Sequence, residues 1–395
     1  MPAIQRFATA AALAAILFTA IPVRAETMTP EATLQALLSE GGSTPDRFDA
    51  AFLSAVPFAE VERILAGVRK EHGPLQGIER ASNGFRLRFA EASMPAAISL
   101  DANGRINGLW FGPAERLGTI ETLAAEIEAL PGKSALLVVS DGEDIVAQDA
   151  DQPLAIGSAA KLAILVALRD AVTAGRLSWD LVVPLDPAWK SLPSGQLQDW
   201  PDGTPLTIAT LANLMISISD NTATDALVRI VGRDAVETVT PTNAPFLTTR
   251  ELFTLKTLKN APLRTAWAEG DTAARRAILA EIADAPLPAI AELSPEATHS
   301  IEWFFSAREL CQLLEQTADL PSVGINPGVA DRGQWKSFAY KGGSEFGVIN
   351  LSTRVVGTDG RVHCVVASWN DDVALDEQKL FAPYTGILNR LAEGE

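Results

Sequence analysis

A serine and a lysine three residues apart, Ser158 and Lys161 in Gly157-Ser158-Ala159-Ala160-Lys161, open the almost unbroken apolar run Leu162 to Leu168. A serine hydroxyl is a weak nucleophile until a base takes its proton, and a lysine held in apolar surroundings loses enough basicity to be that base. A spacing of three stacks the two side chains one turn apart on a single helix face. An amide at a helix start has no partner inside the helix, so the Ser158 N–H is available to a developing oxyanion. A second polar group, Ser219-Asp220-Asn221, lies between the apolar Leu214-Met215-Ile216-Ser217-Ile218 and Thr222-Ala223-Thr224-Asp225. There Ser219 can relay a proton to a leaving group, while Asn221 can donate to substrate and brace Lys161. A third is Lys341-Gly342-Gly343-Ser344. Its paired glycines let a substrate backbone approach a strand closely, and Lys341 can add positive charge beside Ser219.

Taken singly, each group also has a purely structural reading. Ser-x-x-Lys arises by chance about once in a chain of this length and can be a helix cap with a surface lysine. Ser-Asp-Asn can be a turn between helices in which Asp220 or Asn221 caps the second. Lys-Gly-Gly can be a bulged strand start. Their joint occurrence, in this order, favours chemistry.

The elements that must position these groups follow from periodicity. Ala159 to Val172, closed by Gly175, reads as a helix buried in the middle of a domain. Thr207 to Ile216 and Thr222 to Val231 read as two more, the second with a capping-box-like Thr222-x-x-Asp225 start and a stop at Gly232. Thr119 to Leu130 reads as a helix, Ser134 to Ser140 with Asp144 to Gln148 as a hairpin, and Gly347 to Val356 with Val362 to Trp369 as a second hairpin across Asp359-Gly360. Asp376 to Leu391 closes the chain as a helix. The expected fold is α+β, an antiparallel sheet flanked by helices together with an all-helical part. Ahead of it, Pro30 to Arg69 has helical spacing, with Leu34, Leu37, Leu38, Phe58, Val61, Ile64 and Leu65 on the apolar side. Phe85, Leu87 and Phe89 then alternate with Arg86 and Arg88 after an Asn83-Gly84 turn, and Asn103-Gly104 links Ala96 to Leu100 with Arg105 to Phe111. Residues 26–117 are expected to be a small α+β domain ending near Pro113-Ala114, and residues 118–395 the main domain.

In order and spacing, Ser158-x-x-Lys161, Ser219-Asp220-Asn221 and Lys341-Gly342-Gly343 resemble the signature of class A β-lactamases and penicillin-binding proteins. Ser194-Gly195-x-Leu197-Gln198, Leu206-Thr207 and Leu214-Met215-x-x-x-Ser219-Asp220-Asn221-Thr222-Ala223-Thr224 resemble the stretch leading into that family's Ser-Asp-Asn loop. The resemblance covers residues 119 to 395 and implies a β-lactamase-like serine hydrolase domain. By it, Ser158 is the acylated serine, Lys161 its base and Ser219 the proton relay. Asn221, Lys341, Gly342, Gly343 and Ser344 bind substrate, with the amides of Ser158 and Ser344 as oxyanion hole. The substrate would be a β-lactam, an ester, or a peptide derived from peptidoglycan. The smaller domain resembles the nuclear-transport-factor-2-like (NTF2-like) domains that precede some β-lactamase-like proteins.

Two positions depart from the family pattern. Gly342 stands where a Thr or Ser usually binds substrate carboxylate, and Ser344 is the residue that could compensate. Residues 232–262 also lack the Glu-x-x-Asn spacing whose glutamate activates the deacylating water; Glu237 and Glu251 are the only glutamates there. Glu251 reads more naturally as the N-terminal charge of a helix than as a catalytic base. An esterase, a slow lactamase and a D-alanyl-D-alanine carboxypeptidase-like enzyme are therefore rivals, as is a catalytically silent binder of cell-wall fragments.

Composition excludes several other classes. The formal charge of -17 makes nucleic acid an unlikely partner. His72, His299 and His363 are isolated, so no metal or other cofactor is expected. A Ser-His-Asp hydrolase lacks its Gly-x-Ser-x-Gly elbow. Cys311 and Cys364 could pair in an oxidising exported compartment, and are read by preference as two buried thiols. Residues 1–25 combine Arg6, an apolar Ala8 to Ala20 and Val23-Arg24-Ala25, the pattern of a secretory signal peptide and so of an exported, periplasmic protein. No stable membrane span is expected.

Overall fold

The computed structural model describes residues 28–81, 84–90, 92–112, 114–296 and 298–394. The expected leader, and Asn83 and Pro113 of the expected turn and domain boundary, lie outside them. The chain groups into two compact units: one holds the residues up to Glu71 together with Ala97–Trp110, the other His72–Ala96 with Phe111 onward.

In the first unit the expected helical stretch forms Pro30–Leu38, Ala50–Ala55 and Phe58–His72. Short polar caps set where the helices start: Thr29 Oγ1 accepts from Ala32 N at 3.2 Å and Asp49 Oδ1 from Phe52 N at 2.7 Å. Leu34, Leu37, Phe48, Leu65 and Ile106 are buried, and the Asp49 N–H donates to Ile106 O at 2.9 Å.

The second unit is built around an antiparallel sheet in the order Trp335–Tyr340, Val348–Gly357, Val362–Asn370, Lys133–Ser140, Glu143–Gln148, with Gly343–Glu345 paired to Val348–Gly357. The two middle strands are buried on both faces, which explains their nearly continuous apolar sequence. Alternation divides the side chains: Leu136, Val138, Val365 and Ala367 pack with the helices Ile120–Glu128 and Gln378–Glu393, while Leu137 and Val366 face the helical part. At the centre of that part lies Lys161–Thr173, with nine buried residues.

The structure corrects two expectations. Cys311 and Cys364 are bonded as a disulfide, Cα to Cα 6.0 Å, joining the helix Ala307–Thr317 to a central strand. Thr222 is not the cap of its helix, which begins at Asn221 with Asp220 as cap; Asp225 is buried and accepts from Thr249 N at 2.7 Å and Arg250 N at 2.9 Å. Periodicity also left residues 233–317 sparsely assigned, and they form Arg233–Val239, Thr249–Leu255, Ala261–Glu269, Thr272–Glu281 and Ala307–Thr317. No helix among the described residues is long and apolar enough to cross a membrane.

Candidate active site

Ser158 sits in a 3₁₀ turn, Gly157–Ala160, directly before the Lys161–Thr173 helix. In such a turn residues i and i+3 eclipse, so Ser158 and Lys161 lie one above the other. Gly157, with φ of +52°, supplies the left-handed residue that lets the chain leave the short strand Leu154–Ala155 and enter the turn. The Lys161 side chain is buried beneath it, donating to Ser219 O at 2.6 Å, Ser219 Oγ at 2.9 Å and Asn221 Oδ1 at 2.8 Å.

Ser219 links two helices with φ of +58°, a conformation a serine adopts only when its surroundings insist. The surroundings are specific. The Asp220 N–H donates to Leu214 O at 3.0 Å, and the Asp220 carboxylate caps Ala223 N at 2.8 Å. Its other oxygen accepts from Gln196 N at 2.7 Å and Leu197 N at 3.0 Å. Gly195, at φ of +100°, leaves room for that carboxylate, since a Cβ there would fall 2.4 Å from Asp220 Cγ. Ser194 Oγ donates to Ser219 O at 2.8 Å. Asn221 Nδ2 donates to Leu192 O at 2.9 Å, so its amide is aimed at Lys161 from a fixed support.

Lys341 approaches from the opposite wall. Its Nζ donates to Ser219 Oγ at 3.1 Å and to Gly342 O, so the Ser219 hydroxyl stands between two buried lysine side chains. Burial, then the charge of Lys341, pushes Lys161 well below the usual lysine range against the pull of Asp225 and Asp220. Burial pushes Lys341 down to about 7. Asp225 goes the other way, raised by burial to about 7 against the N–H groups it accepts. A neutral lysine has two N–H bonds and a lone pair, so losing its proton frees one of the three directions of Lys161 to accept from a hydroxyl.

Gly343 meets the nucleophile turn at a distance no side chain tolerates: a Cβ would lie 2.1 Å from Ile156 O and 2.6 Å from Ser158 N. A Cβ on Gly157 would likewise sit 3.3 Å from Ser344 N, so the Ser158 and Ser344 amides flank one small space. Gly342 is glycine for a different reason. A Cβ there would fall 2.3 Å from the Tyr340 hydroxyl, which fills the place of the hydroxyl missing at position 342. Burial raises the Tyr340 phenol to about 12, so it remains a donor at neutral pH.

A cavity of about 550 Å³ is lined by Ser158, Ser219, Asn221, Lys341, Gly342, Gly343 and Ser344, so every expected site residue except the buried Lys161 faces it. Sequence reading missed other residues of this wall, among them Tyr340, Trp303, Glu302 and Glu345. Lys256, also missed, is buried behind them with its ammonium on both carboxylates. Charge pairing across 46 and 89 residues leaves no spacing signal. Glu251 is accounted for structurally: it forms the capping box with Thr248 and an ion pair with Arg233 at 2.6 Å. Glu237 accepts from Phe246 N at 3.0 Å and pairs with Arg276.

Residues 119–276 match the beta-lactamase enzyme family. Among solved structures the chain is similar to the beta-lactamase from Sphaerobacter thermophilus DSM 20745, at 22% identity and a TM-score of 0.49 over 70% of this chain and 96% of that one. It is also similar to PBP-A, at 18% identity and 0.44 over 69% and 95%, and to TLA-3 extended-spectrum beta-lactamase, at 13% identity and 0.49 over 69% and 98%. No curated protein matches. By the family match and its own architecture, the sheet and helices from residue 119 onward have the β-lactamase-like α+β fold.

Proposed function

We propose that the protein is a serine hydrolase that works through an acyl-enzyme on Ser158. The observation that carries this reading is the Ser219 hydroxyl held between Lys161 and Lys341 at 2.9 and 3.1 Å, on the same cavity wall as Ser158. Lys161, neutral because it is buried beside a second cation, takes the Ser158 proton as Oγ attacks the carbonyl carbon. The amides of Ser158 and Ser344 hold the oxyanion. Ser219 passes the proton on to the leaving group, and the lysine pair returns to its starting state. Asn221 and the Tyr340 hydroxyl hydrogen-bond the bound acyl donor.

The acyl donor is an ester, an amide or a β-lactam: Lys341 is the sole cation among the described cavity-lining residues, and Glu302 and Glu345 share the ammonium of Lys256. Residues 1–25 support export to the periplasm with removal of the leader.

Intact-mass spectrometry tests the reading, following the protein over time with a penicillin and with a neutral activated ester. An adduct of the acyl mass on the wild type, absent in Ser158→Ala together with ester hydrolysis, is expected. Hydrolysis persisting in Ser158→Ala would remove the nucleophile assignment, and ligand binding with no adduct would mark a silent binder.

A further inference from the structure

The missing deacylation base points to a buried carboxyl pair that flanks the nucleophile. Side chains alternate along a strand, so Gly343 and Glu345 share one face, and Glu345 lies about 6–7 Å beyond the glycine that touches Ser158 N. On the other side, Phe305 pairs with Leu154 and Phe304 with Ala155, and the Ile156 N–H donates to Trp303 O at 3.2 Å. Glu302, the residue before Trp303, lines the same cavity as Gly157. Both residues line the cavity that holds Ser158.

Lys256 ties them together, its Nζ donating to Glu302 Oε1 at 2.5 Å and to Glu345 Oε2. Two carboxylates and one ammonium would leave one negative charge uncompensated in a buried place. Glu302 is 1% exposed at its side chain, and its Oε2 is buried with no hydrogen-bond partner among the described residues. A proton on Glu345 supplies that missing donor. Burial first, and then the Glu302 charge, raises Glu345 well above the carboxylate range against the pull of Lys256. Burial opposes the charge on Lys256, but the two glutamates hold its basicity above the usual value. The cluster is thus neutral when it holds one shared proton, and it keeps one basic carboxylate oxygen. Glu345, 23% exposed at its side chain, is the member open to the cavity.

We propose that Glu302 and Glu345, held together by Lys256, take the proton of the water that hydrolyses the Ser158 ester. This rests on the acyl-enzyme reading above. The water O–H bond breaks toward the pair as its oxygen adds to the acyl carbon, and the Ser158 and Ser344 amides hold the carbonyl oxygen. The bond from the acyl carbon to Ser158 Oγ then breaks, and the proton returns to Ser158. The pair ends as it began and the acid leaves.

Glu302→Gln and Glu345→Gln test this in stopped-flow measurements with a neutral activated ester, read beside intact mass and thermal unfolding. A general base contributes about 10²–10⁴-fold, so the acyl-enzyme should persist longer by that factor in at least one variant while the acylation burst stays within about threefold of wild type. A cluster that only holds the fold together would lower the unfolding temperature and leave the adduct lifetime unchanged, which overturns the proposal. Absence of any adduct, with hydrolysis retained in Ser158→Ala, refutes instead the acyl-enzyme reading on which the pair depends.

Discussion

Replacing Gly343 by alanine tests the physical link between backbone packing and catalysis most directly. The new methyl group would lie 2.1 Å from Ile156 O and 2.6 Å from Ser158 N, whereas real Cβ atoms essentially never come within 3.0 Å of a neighbour. Both obstacles are backbone, and Ile156 is itself tied by its N–H to Trp303 O at 3.2 Å, so neither rotates away. The Gly343–Glu345 strand must therefore withdraw by about 1 Å, a displacement on the scale that costs roughly 10²-fold when it misplaces reacting groups. Withdrawal carries the Ser344 amide out of the space it shares with the Ser158 amide. Losing one such donor costs about 10²–10³-fold in rate, or about 3–4 kcal/mol of barrier. Overpacking should lower stability by about 1–3 kcal/mol. The assay is the acylation burst with a neutral activated ester, read beside a urea unfolding curve. Acylation at the wild-type rate in a variant whose stability has fallen would refute the claim that Ser344 completes the oxyanion site.

Two further outcomes follow from the same wall. Gly342→Thr alone should destabilise the protein by about 1–3 kcal/mol, because its Cβ meets the Tyr340 hydroxyl at 2.3 Å, and adding Tyr340→Phe should recover most of that loss; additive effects in the urea curves would refute the clash. Lys341 is pushed down to about 7 in the folded chain from 10.5, so between those values the unfolded state binds more protons and stability rises with pH. Lys341→Met should remove up to about 1.4 kcal/mol per pH unit of that rise, measured by unfolding between neutral and alkaline pH, while Asp225, raised to about 7, acts only in the acid window below it.

What the sequence determined is local. Short-range rules place the helix that opens behind Ser158, the polar turn at Ser219-Asp220-Asn221 and the strand after Lys341, because apolar periodicity and polar interruption are properties of neighbouring residues. The three motifs named Ser158, Ser219, Asn221 and Lys341, which converge on one cavity, and Lys161, which is buried beneath Ser158. Tertiary structure decided whatever depends on contacts between distant segments. No spacing shows that Tyr340 excludes a side chain at 342, that Asp225 serves Thr249 and Arg250 rather than its own helix start, or that Cys311 reaches Cys364. The Lys256, Glu302 and Glu345 cluster is the clearest case. Each residue alone reads as an ordinary surface charge, and only burial against one another forces them to share a proton and gives them a chemistry their sequence positions do not announce.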